Sequence, residues 1–256
     1  MIKIDFKREN FGVFINKIKD LNKIKDSIRF KITNEYIFMY STLGDNVMLA
    51  FKNHLLKTSD FLDLKKPLDF EIDFILSNCS KLVKNLDFIQ NSDKITLSFR
   101  EEESEDTNVM TTRGIIIKGS DLKITWVTSE LYEIRNIPKD FLDSGLDLSN
   151  RNWYIEIPVE KFEKIEKLSN INSDKIINFD VIGGQVNVYE TSAWSMDLGE
   201  IEKQNTNFIF NKRFFKCINE YSSVVTFHLF DSFILIKNND SNLMLSYEQD
   251  FTEDDI

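Results

Sequence analysis

The chain has 256 residues, which is enough for one large domain or two ordinary ones. With 42% hydrophobic and 29% charged residues, it is predicted to be a folded globular protein and not a disordered one. Its net charge of −10 excludes a protein that wraps nucleic acid by bulk attraction, but permits one that concentrates its bases on a single surface.

The first half of the chain alternates Ile, Phe and Val with polar residues, a pattern typical of β-strands. The predicted strands lie near 2–7, 27–33, 36–41, 46–51, 68–74, 94–99, 110–118 and 121–128. Helical periodicity predicts two helices in the same half, near 10–24 and 75–88. The run "REEESEDTN" at 100–108 carries five carboxylates, but their spacing fits no Ca²⁺ loop, and we interpret it as a solvated hairpin loop.

The middle of the chain, "SELYEIRNIPKDFLDSGLDLSNR" at 129–151, holds a Pro, a Gly and many polar residues, and it alternates poorly. We interpret it as a connector between two domains of similar size. The predicted division is a first domain at 1–128, the connector at 129–151 and a second domain at 152–256.

The second half repeats the organisation of the first. Its predicted strands lie near 153–158, 174–181, 184–190, 194–200, 205–210, 223–229, 232–237 and 242–248, and its helices near 159–170 and 211–221. A strand–helix–strand–strand–strand unit therefore recurs four times, and "NSDKI" follows a helix at both 91–95 and 172–176. The prediction is an α+β fold of two pseudo-repeated domains, each with two helices packed on antiparallel sheets.

The four predicted helices share one property: an apolar face opposite a basic one. Over residues 10–25, 75–88, 159–170 and 211–221 the bases exceed the acids by six, so the remainder of the chain carries a net charge of −16. On any one helix this pattern is more typical of an ordinary solvated face. Its recurrence on four helices of an acidic chain favours a surface for a polyanion, contacted without regard to base sequence. The proposed DNA-facing residues are Lys17, Lys19, Lys23, Lys81, Lys84, Lys164, Lys167, Lys212, Arg213 and Lys216.

The sequence does not favour an enzyme. The two histidines, His54 and His228, have no Cys or acidic residues at metal-ligand spacing, and no phosphate-binding or nucleophile motif is present. We therefore predict no catalytic residue, no metal and no cofactor. Cys79 and Cys217 lie in apolar helical patterns and are predicted to be buried free thiols of a reducing compartment.

Nothing in the sequence favours a membrane protein. No stretch approaches the roughly 18 apolar residues of a transmembrane helix, and "MIKIDFKREN" at 1–10 has charges where a secretory signal needs an apolar run. We expect a cytoplasmic protein, in the host cell cytoplasm if it is viral.

The four repeated units and the connector resemble a DNA sliding clamp, the group that includes proliferating cell nuclear antigen and the clamps of T-even-type phages. The stretches most similar to the phage type are "FGVFINKIKDLNKIKDSIRFKI", "IEIPVEKFEKIEKLSNINSDKIINFDV" and "LMLSYEQDFTEDDI". The resemblance implies a ring of six domains with the helices lining its hole. With two domains per chain, the ring would be a homotrimer, closed head to tail through the strands at 121–128 and 194–200.

The resemblance also implies partners: double-stranded DNA, a DNA polymerase that the ring tethers for processive synthesis, and a clamp loader. Family clamps capture partner peptides in an apolar pocket beside the connector and the last strand. The corresponding residues are Leu131, Tyr132, Ile134, Tyr247 and Phe251, for which core packing is an equal alternative. The alternative function is a β-rich viral structural or scaffold protein whose lysines only keep its helices soluble.

Overall fold

The computed structural model describes residues 2–44, 50–102, 109–141, 149, 151–171, 176–191, 193–202, 205–211, 217, 224–237 and 241–246. The chain forms two compact units: unit 1 comprises residues 1–43 and 52–141, and unit 2 comprises residues 44–51 and 142–256. The change from unit 1 to unit 2 after residue 141 lies inside the predicted connector.

The described part of unit 1 contains nine strands, three helices and a short 3₁₀ turn. The first two residues of strand β4 belong to unit 2, because the second segment of unit 1 begins at residue 52. The strands are β1 (Ile2–Phe6), β2 (Ser27–Ile32), β3 (Tyr36–Leu43), β4 (Ala50–Lys57), β5 (Leu62–Asp63), β6 (Glu71–Ser77), β7 (Ile95–Glu102), β8 (Val109–Lys118) and β9 (Lys123–Val127). The helices are α1 (Arg8–Leu21), α2 (Thr58–Phe61) and α3 (Cys79–Ile89), and the 3₁₀ turn is Leu131–Glu133.

The strands of unit 1 lie in the order β4-β3-β2-β6-β8-β7-β1-β5, and β9 pairs with β8. The core lies between this sheet and the helices α1 and α3, and it is dominated by Phe and Ile because both elements present those residues on one face. Phe30 of β2 and Phe74 of β6 stack with ring centroids 5.0 Å apart, while Phe6 of β1 meets Phe11 of α1 edge to face at 5.0 Å.

Unit 2 has eight strands and one helix in its described part. They are β10 (Trp153–Pro158), α4 (Val159–Ser169), β11 (Ile176–Ile182), β12 (Gln185–Glu190), β13 (Trp194–Glu200), β14 (Thr206–Asn211), β15 (Val224–Leu229), β16 (Phe233–Lys237) and β17 (Ser241–Ser246). Within the unit the strands lie in the orders β10-β15-β16-β17 and β13-β12-β11-β14. The predicted helix at 211–221 lies outside the described residues, apart from Asn211 and Cys217.

The two units repeat one pattern of strand pairing. In unit 1, β1 pairs with β7 and β2 pairs with β6; in unit 2, β10 pairs with β15 and β11 pairs with β14, all antiparallel. The hairpins β2–β3 and β7–β8 likewise correspond to β11–β12 and β15–β16. This confirms the predicted α+β fold with internally repeated domains.

Three details of the prediction are corrected. The strand predicted at 46–51 continues to Lys57. The prediction ended it too early, because its inward positions hold Lys52 and His54 where an apolar pattern was expected. The helix predicted from residue 75 begins at Cys79, because β6 continues to Ser77 and Asn78 adopts a left-handed φ of 56° between strand and helix. The sheet of unit 1 is not fully antiparallel, since β6 and β8 pair in parallel.

Both cysteines are free and buried, as predicted. Burial raises the pKa of the Cys79 thiol to about 12, which keeps it protonated and unreactive. Among the helices that the structure describes, none has both the length and the apolar character to cross a bilayer.

Candidate nucleic-acid interface

The helices α1 and α3 lie side by side and antiparallel on the sheet of unit 1. Three polar contacts join the helices and the residues just after them: Arg8–Asp93 at 3.1 Å, Lys19–Asp87 at 3.4 Å and Asn22–Ser80 at 2.9 Å. As the residue number rises along α1, the number of its partner falls, which is the mark of an antiparallel pair. The N-terminus of α3 is fixed by a residue from outside the helix, since Asp26 Oδ1 accepts hydrogen bonds from the Ser80 amide at 2.7 Å and the Ser80 hydroxyl at 3.0 Å.

Both helices bury one apolar face. The buried residues are Phe11, Phe14, Ile15, Ile18 and Leu21 on α1, and Cys79, Leu82, Val83, Leu86 and Ile89 on α3. The predicted lysines occupy other positions of the two helices, except Lys23, which lies in the turn after α1; we call them the helix lysine face: Lys17, Lys19, Lys23, Lys81 and Lys84. Lys19, Lys81 and Lys84 are exposed, whereas the other two are half-buried. Unit 1 thus brings five of the ten predicted basic residues onto two adjacent helices and the turn that follows α1.

In unit 2, α4 buries Phe162 and Ile165 and exposes Lys164 and Lys167. Its third lysine, Lys161, turns toward the sheet, where Nζ donates hydrogen bonds to the Asp197 and Leu198 carbonyls at 2.9 and 3.0 Å. Lys212, Arg213 and Lys216 lie outside the described residues.

Asp20 of α1 is 2% exposed and faces β4. Lys52 Nζ lies 2.6 Å from Asp20 Oδ1, and His54 Nε2 lies 2.8 Å from Oδ2. Lys52 is completely buried. The three residues form a buried charged cluster that joins the helix to the sheet. The sequence offered no sign of it, because Asp20 is more than 30 positions from Lys52 and His54.

The pKa values of this cluster have opposing causes. Burial alone would raise the pKa of Asp20, but the His54 hydrogen bond and the Lys52 charge outweigh it and lower the pKa. Burial lowers the pKa of His54 more than Asp20 raises it, so the imidazole is neutral near pH 7 and donates from Nε2. Asp20 and Lys52 therefore carry the charges, and His54 serves as a neutral donor.

The connector is tied to unit 1 by residues that the sequence did not single out. Arg29 forms a buried bidentate ion pair with Asp73 and also donates from Nη1 to the Ile134 and Leu131 carbonyls, at 2.7 and 3.2 Å. The Tyr40 hydroxyl donates to the Arg135 carbonyl and accepts the Ile137 amide, both at 3.0 Å. These contacts fix residues 131–137 against the sheet.

The predicted peptide-pocket residues differ in environment. Tyr132 is 85% exposed and Leu131 is half-buried, so their side chains are accessible, whereas Ile134 is 1% exposed and packs into the core. Tyr247 and Phe251 lie outside the described residues.

The two strands predicted to join subunits are both sheet edges. Within the described part of the chain, β9 pairs only with β8, and β13 pairs only with β12. Val127 at the end of β9 is 75% exposed. Across the described ranges, no group of three or more His, Cys, Asp or Glu is arranged to hold a metal ion.

Several solved structures share this fold at low sequence identity. The DNA polymerase III beta chain of Streptococcus pneumoniae superposes with a TM-score of 0.67 and 10% identity, over 100% of this chain and 67% of that one. The Helicobacter pylori beta clamp bound to a DNA ligase peptide gives 0.64 and 15%, over 98% and 68%. Proliferating cellular nuclear antigen from Entamoeba histolytica gives 0.64 and 15%, over 96% and 98%.

The chain therefore has the DNA-clamp fold along its whole length. It spans about two thirds of the bacterial beta chains and nearly all of the nuclear antigen chain. No protein-family model matches the sequence, and no curated protein matches it either.

Proposed function

We propose that this protein is a sliding clamp that encircles double-stranded DNA as a ring and tethers a replicative DNA polymerase for processive synthesis. It acts by topology and tethering and has no catalytic role. The observation that carries the proposal is the helix lysine face, because a chain with a net charge of −10 places four lysines on adjacent helices of a clamp fold and a fifth in the turn after α1.

Lysines on these helices suit a ring that slides. Duplex DNA carries about one phosphate charge per 1.7 Å of its axis, so spread ammonium groups meet phosphates at any position along it. Such contacts do not read base edges and therefore do not hold the ring at one sequence. Lys164 and Lys167 of α4 would add to the same lining, together with Lys212, Arg213 and Lys216.

A homotrimer is the assembly we propose. A ring of six domains needs three copies of a chain with two units. The match covers nearly all of a nuclear antigen chain, which supports a chain with two clamp domains. The two edge strands, β9 and β13, are suited to head-to-tail pairing because each has a free side within the described residues. Pairing β9 of one copy with β13 of the next would remove both edges.

The proposed partners are the polymerase, a clamp loader and peptides that dock beside the connector. Tyr132 and Leu131 are the accessible residues there, and the beta clamp of Helicobacter pylori was solved with a DNA ligase peptide. We propose that this replication role is cytoplasmic, in the cytoplasm of the host cell if the protein is viral, as its resemblance to phage clamps implies.

The test combines mass in solution with retention on DNA. After loading by the loader of the same source, a ring should stay on nicked circular DNA and run off the same DNA once it is linearised. Light scattering should give the mass of three chains. A monomer that is retained equally on both DNA forms and leaves polymerase processivity unchanged would favour a structural or scaffold protein and reject the clamp.

A further inference from the structure

The first strand of unit 1, β1, is paired along its whole length on one side but along only part of its length on the other. β1 pairs with β7 along its whole length, from Ile2↔Phe99 to Phe6↔Ile95. On its other side it meets only β5, through Asp5 and Phe6. Within the described residues, the backbone from Ile2 to Ile4 therefore has no strand on that side, which leaves a short free edge.

A groove of about 430 Å³ lies beside this free edge, between β1 and residues 64–70. Its apolar lining comes from Ile2, Leu64, Leu68 and Phe70, which are half-buried and pack against the core. Because side chains alternate along a strand, Ile2 and Ile4 point to the core face of the sheet and Lys3 points to the opposite face.

Lysines surround the groove and continue past it. Lys3, Lys65 and Lys66 line its rim, while Asp69 is its one acidic residue. An adjoining cavity of about 520 Å³ shares two of these lysines and adds three more. We call the whole set the sheet lysine cluster: Lys3, Lys65, Lys66, Lys94, Lys118 and Lys123. It lies on the sheet face away from the helices, so it is separate from the helix lysine face.

The cluster already binds one carboxylate. Asp5 Oδ2 lies 3.0 Å from Lys94 Nζ and 3.4 Å from Lys65 Nζ, and Asp5 Oδ1 accepts a hydrogen bond from the Thr96 hydroxyl at 2.8 Å. Burial would raise the pKa of Asp5, but the Thr96 and lysine contacts outweigh it and lower the pKa. The cluster thus stabilises a carboxylate in its charged form.

The remaining charge is unbalanced. Lys118 of β8 and Lys123 of β9 are direct cross-strand partners, an arrangement that destabilises a sheet because like charges face each other. Among the described residues, neither of them nor Lys3 forms an ion pair. An anionic partner would remove this repulsion.

These features together define one kind of occupant. An extended peptide that pairs with the free edge of β1 would place alternate side chains on the two faces of the sheet. Its apolar side chains would enter the groove beside Ile2 and Phe70, and its carboxylates would face Lys3 and the rest of the sheet lysine cluster. We propose that this groove binds an extended peptide of a partner protein in which acidic and apolar residues alternate.

A nucleic acid fits the same surface less well. Single-stranded nucleic acid is held by aromatic platforms as well as by charge. The residues that line the lysine cavity are Lys3, Asp5, Lys65, Lys94, Thr96, Ser98, Ile116, Lys118 and Lys123, and this described lining contains no aromatic side chain. The apolar groove would also remain empty beside a phosphate backbone.

The experiment measures the fluorescence anisotropy of a labelled peptide of sequence EVEIEVEF on the full chain, without DNA. We expect saturable binding that weakens by at least about tenfold in the Lys3→Glu/Lys65→Glu variant. The Lys57→Glu/Lys139→Glu variant has the same change in charge at exposed positions away from the groove and should bind normally. Because the assay contains no DNA, its result is independent of whether the protein acts as a clamp.

A second peptide tests the strand pairing. The same sequence N-methylated at alternate residues keeps its charges and side chains but loses backbone donors along one side, so its binding should be lost. The proposal is overturned by equal binding of this peptide, by unchanged binding in Lys3→Glu/Lys65→Glu, or by no binding at about 1 mM peptide. It is also overturned if a single-stranded oligonucleotide binds more tightly than the peptide and loses its binding in that variant.

Discussion

At the scale of single residues, the stability of unit 1 depends on buried charges. The cluster of Asp20, Lys52 and His54 places an ammonium group that has no exposed surface against a carboxylate that is almost as buried. Removing charges from water is costly, so each member is stable only while its partners remain. The cluster therefore fixes how α1 sits on β4, and hence where the helix lysine face points.

Removing one partner should be strongly destabilising. We expect Lys52→Met to lower the free energy of unfolding by about 3–5 kcal/mol, because it leaves the Asp20 carboxylate buried without its counterion. Urea titration would measure the loss. Lys57→Met, at an exposed position of the same strand, should change the free energy by less than about 0.5 kcal/mol. The double variant Asp20→Leu/Lys52→Met should recover part of the loss, and a single variant as stable as the wild type would contradict the role assigned to the pair.

The histidines predict a dependence on pH. Burial lowers the pKa of His54, and burial with the charges of Arg151 and Lys237 lowers the pKa of His228 from 6.5 to about 4. Below pH 6.5 the unfolded chain therefore binds protons at these sites that the folded chain does not. Stability should be complete above pH 6.5 and fall as the pH drops from 6.5 toward 4.

Thermal unfolding at a series of pH values would measure this fall. In His228→Gln, which removes one of the two titrating groups, the decline between pH 6.5 and 4 should be shallower. If this variant and the wild type lose stability in parallel over that range, His228 does not have a lowered pKa in the folded state.

At the scale of elements, the sequence predicts most of the fold because alternation and helical periodicity follow from burying one face. The strand at 194–200 and the helix beginning at 159 have the bounds that the sequence predicts. The prediction fails where the buried face is polar, as in β4, whose inward Lys52 and His54 break the apolar pattern. The pairs Arg29–Asp73 and Asp20–Lys52 could not be found either, since nothing local in a sequence marks which distant residue a charge will meet.

The same limit applies to the candidate interface. Periodicity places Lys81 and Lys84 away from the core of α3 correctly, but it cannot show that α1 lies antiparallel beside that helix. Periodicity along α1 cannot show the burial of Asp20 either, because its partners Lys52 and His54 belong to a strand distant in sequence.

The helix lysine face should be needed for action on DNA and not for folding. We expect the variant with Lys81 and Lys84 changed to Glu to lose about tenfold or more in its residence on circular DNA or in its stimulation of a polymerase, because phosphates then meet repulsive charges. Its circular dichroism spectrum and mass should be unchanged. The Lys57→Glu/Lys139→Glu variant is the matched control, and normal stimulation by Lys81→Glu/Lys84→Glu would show that these helices do not contact DNA. Changing Lys212 and Lys216 to Glu as well should further reduce the residence on DNA and the stimulation of the polymerase.

At the scale of the whole molecule, the edges of the sheets determine what the chain can assemble into. Two different free edges on one chain allow head-to-tail contacts, which produce a ring when the rotation closes and a filament when it does not. An exposed edge strand is also a hazard for aggregation, so pairing β9 with β13 would protect both strands. The exposed Val127 on β9 is the residue whose burial in such a contact we expect to matter most.

Replacing Val127 by Glu should therefore disrupt the proposed ring. We expect light scattering to show the mass of one chain at concentrations where the wild type gives the mass of the proposed trimer, because the contact would have to bury an unpaired carboxylate. Val224→Glu is the control, since Val224 is 47% exposed but lies on β15, which has strand partners on both sides. A trimer that persists in Val127→Glu would place the subunit contact elsewhere.

The pairing of β1 with β7 has a consequence for how the protein is made. Ile2 pairs with Phe99, so 97 residues must be synthesised after Ile2 before its partner in β7 is available. At about 5–20 residues per second, the delay is roughly 5–20 seconds. During this time Ile2 and Ile4 have no strand partner, since β5 reaches only Asp5 and Phe6, and unit 1 can complete its fold only late in the synthesis of its own segment. A chaperone that holds nascent strands would therefore have an opportunity to bind at Ile2 and Ile4.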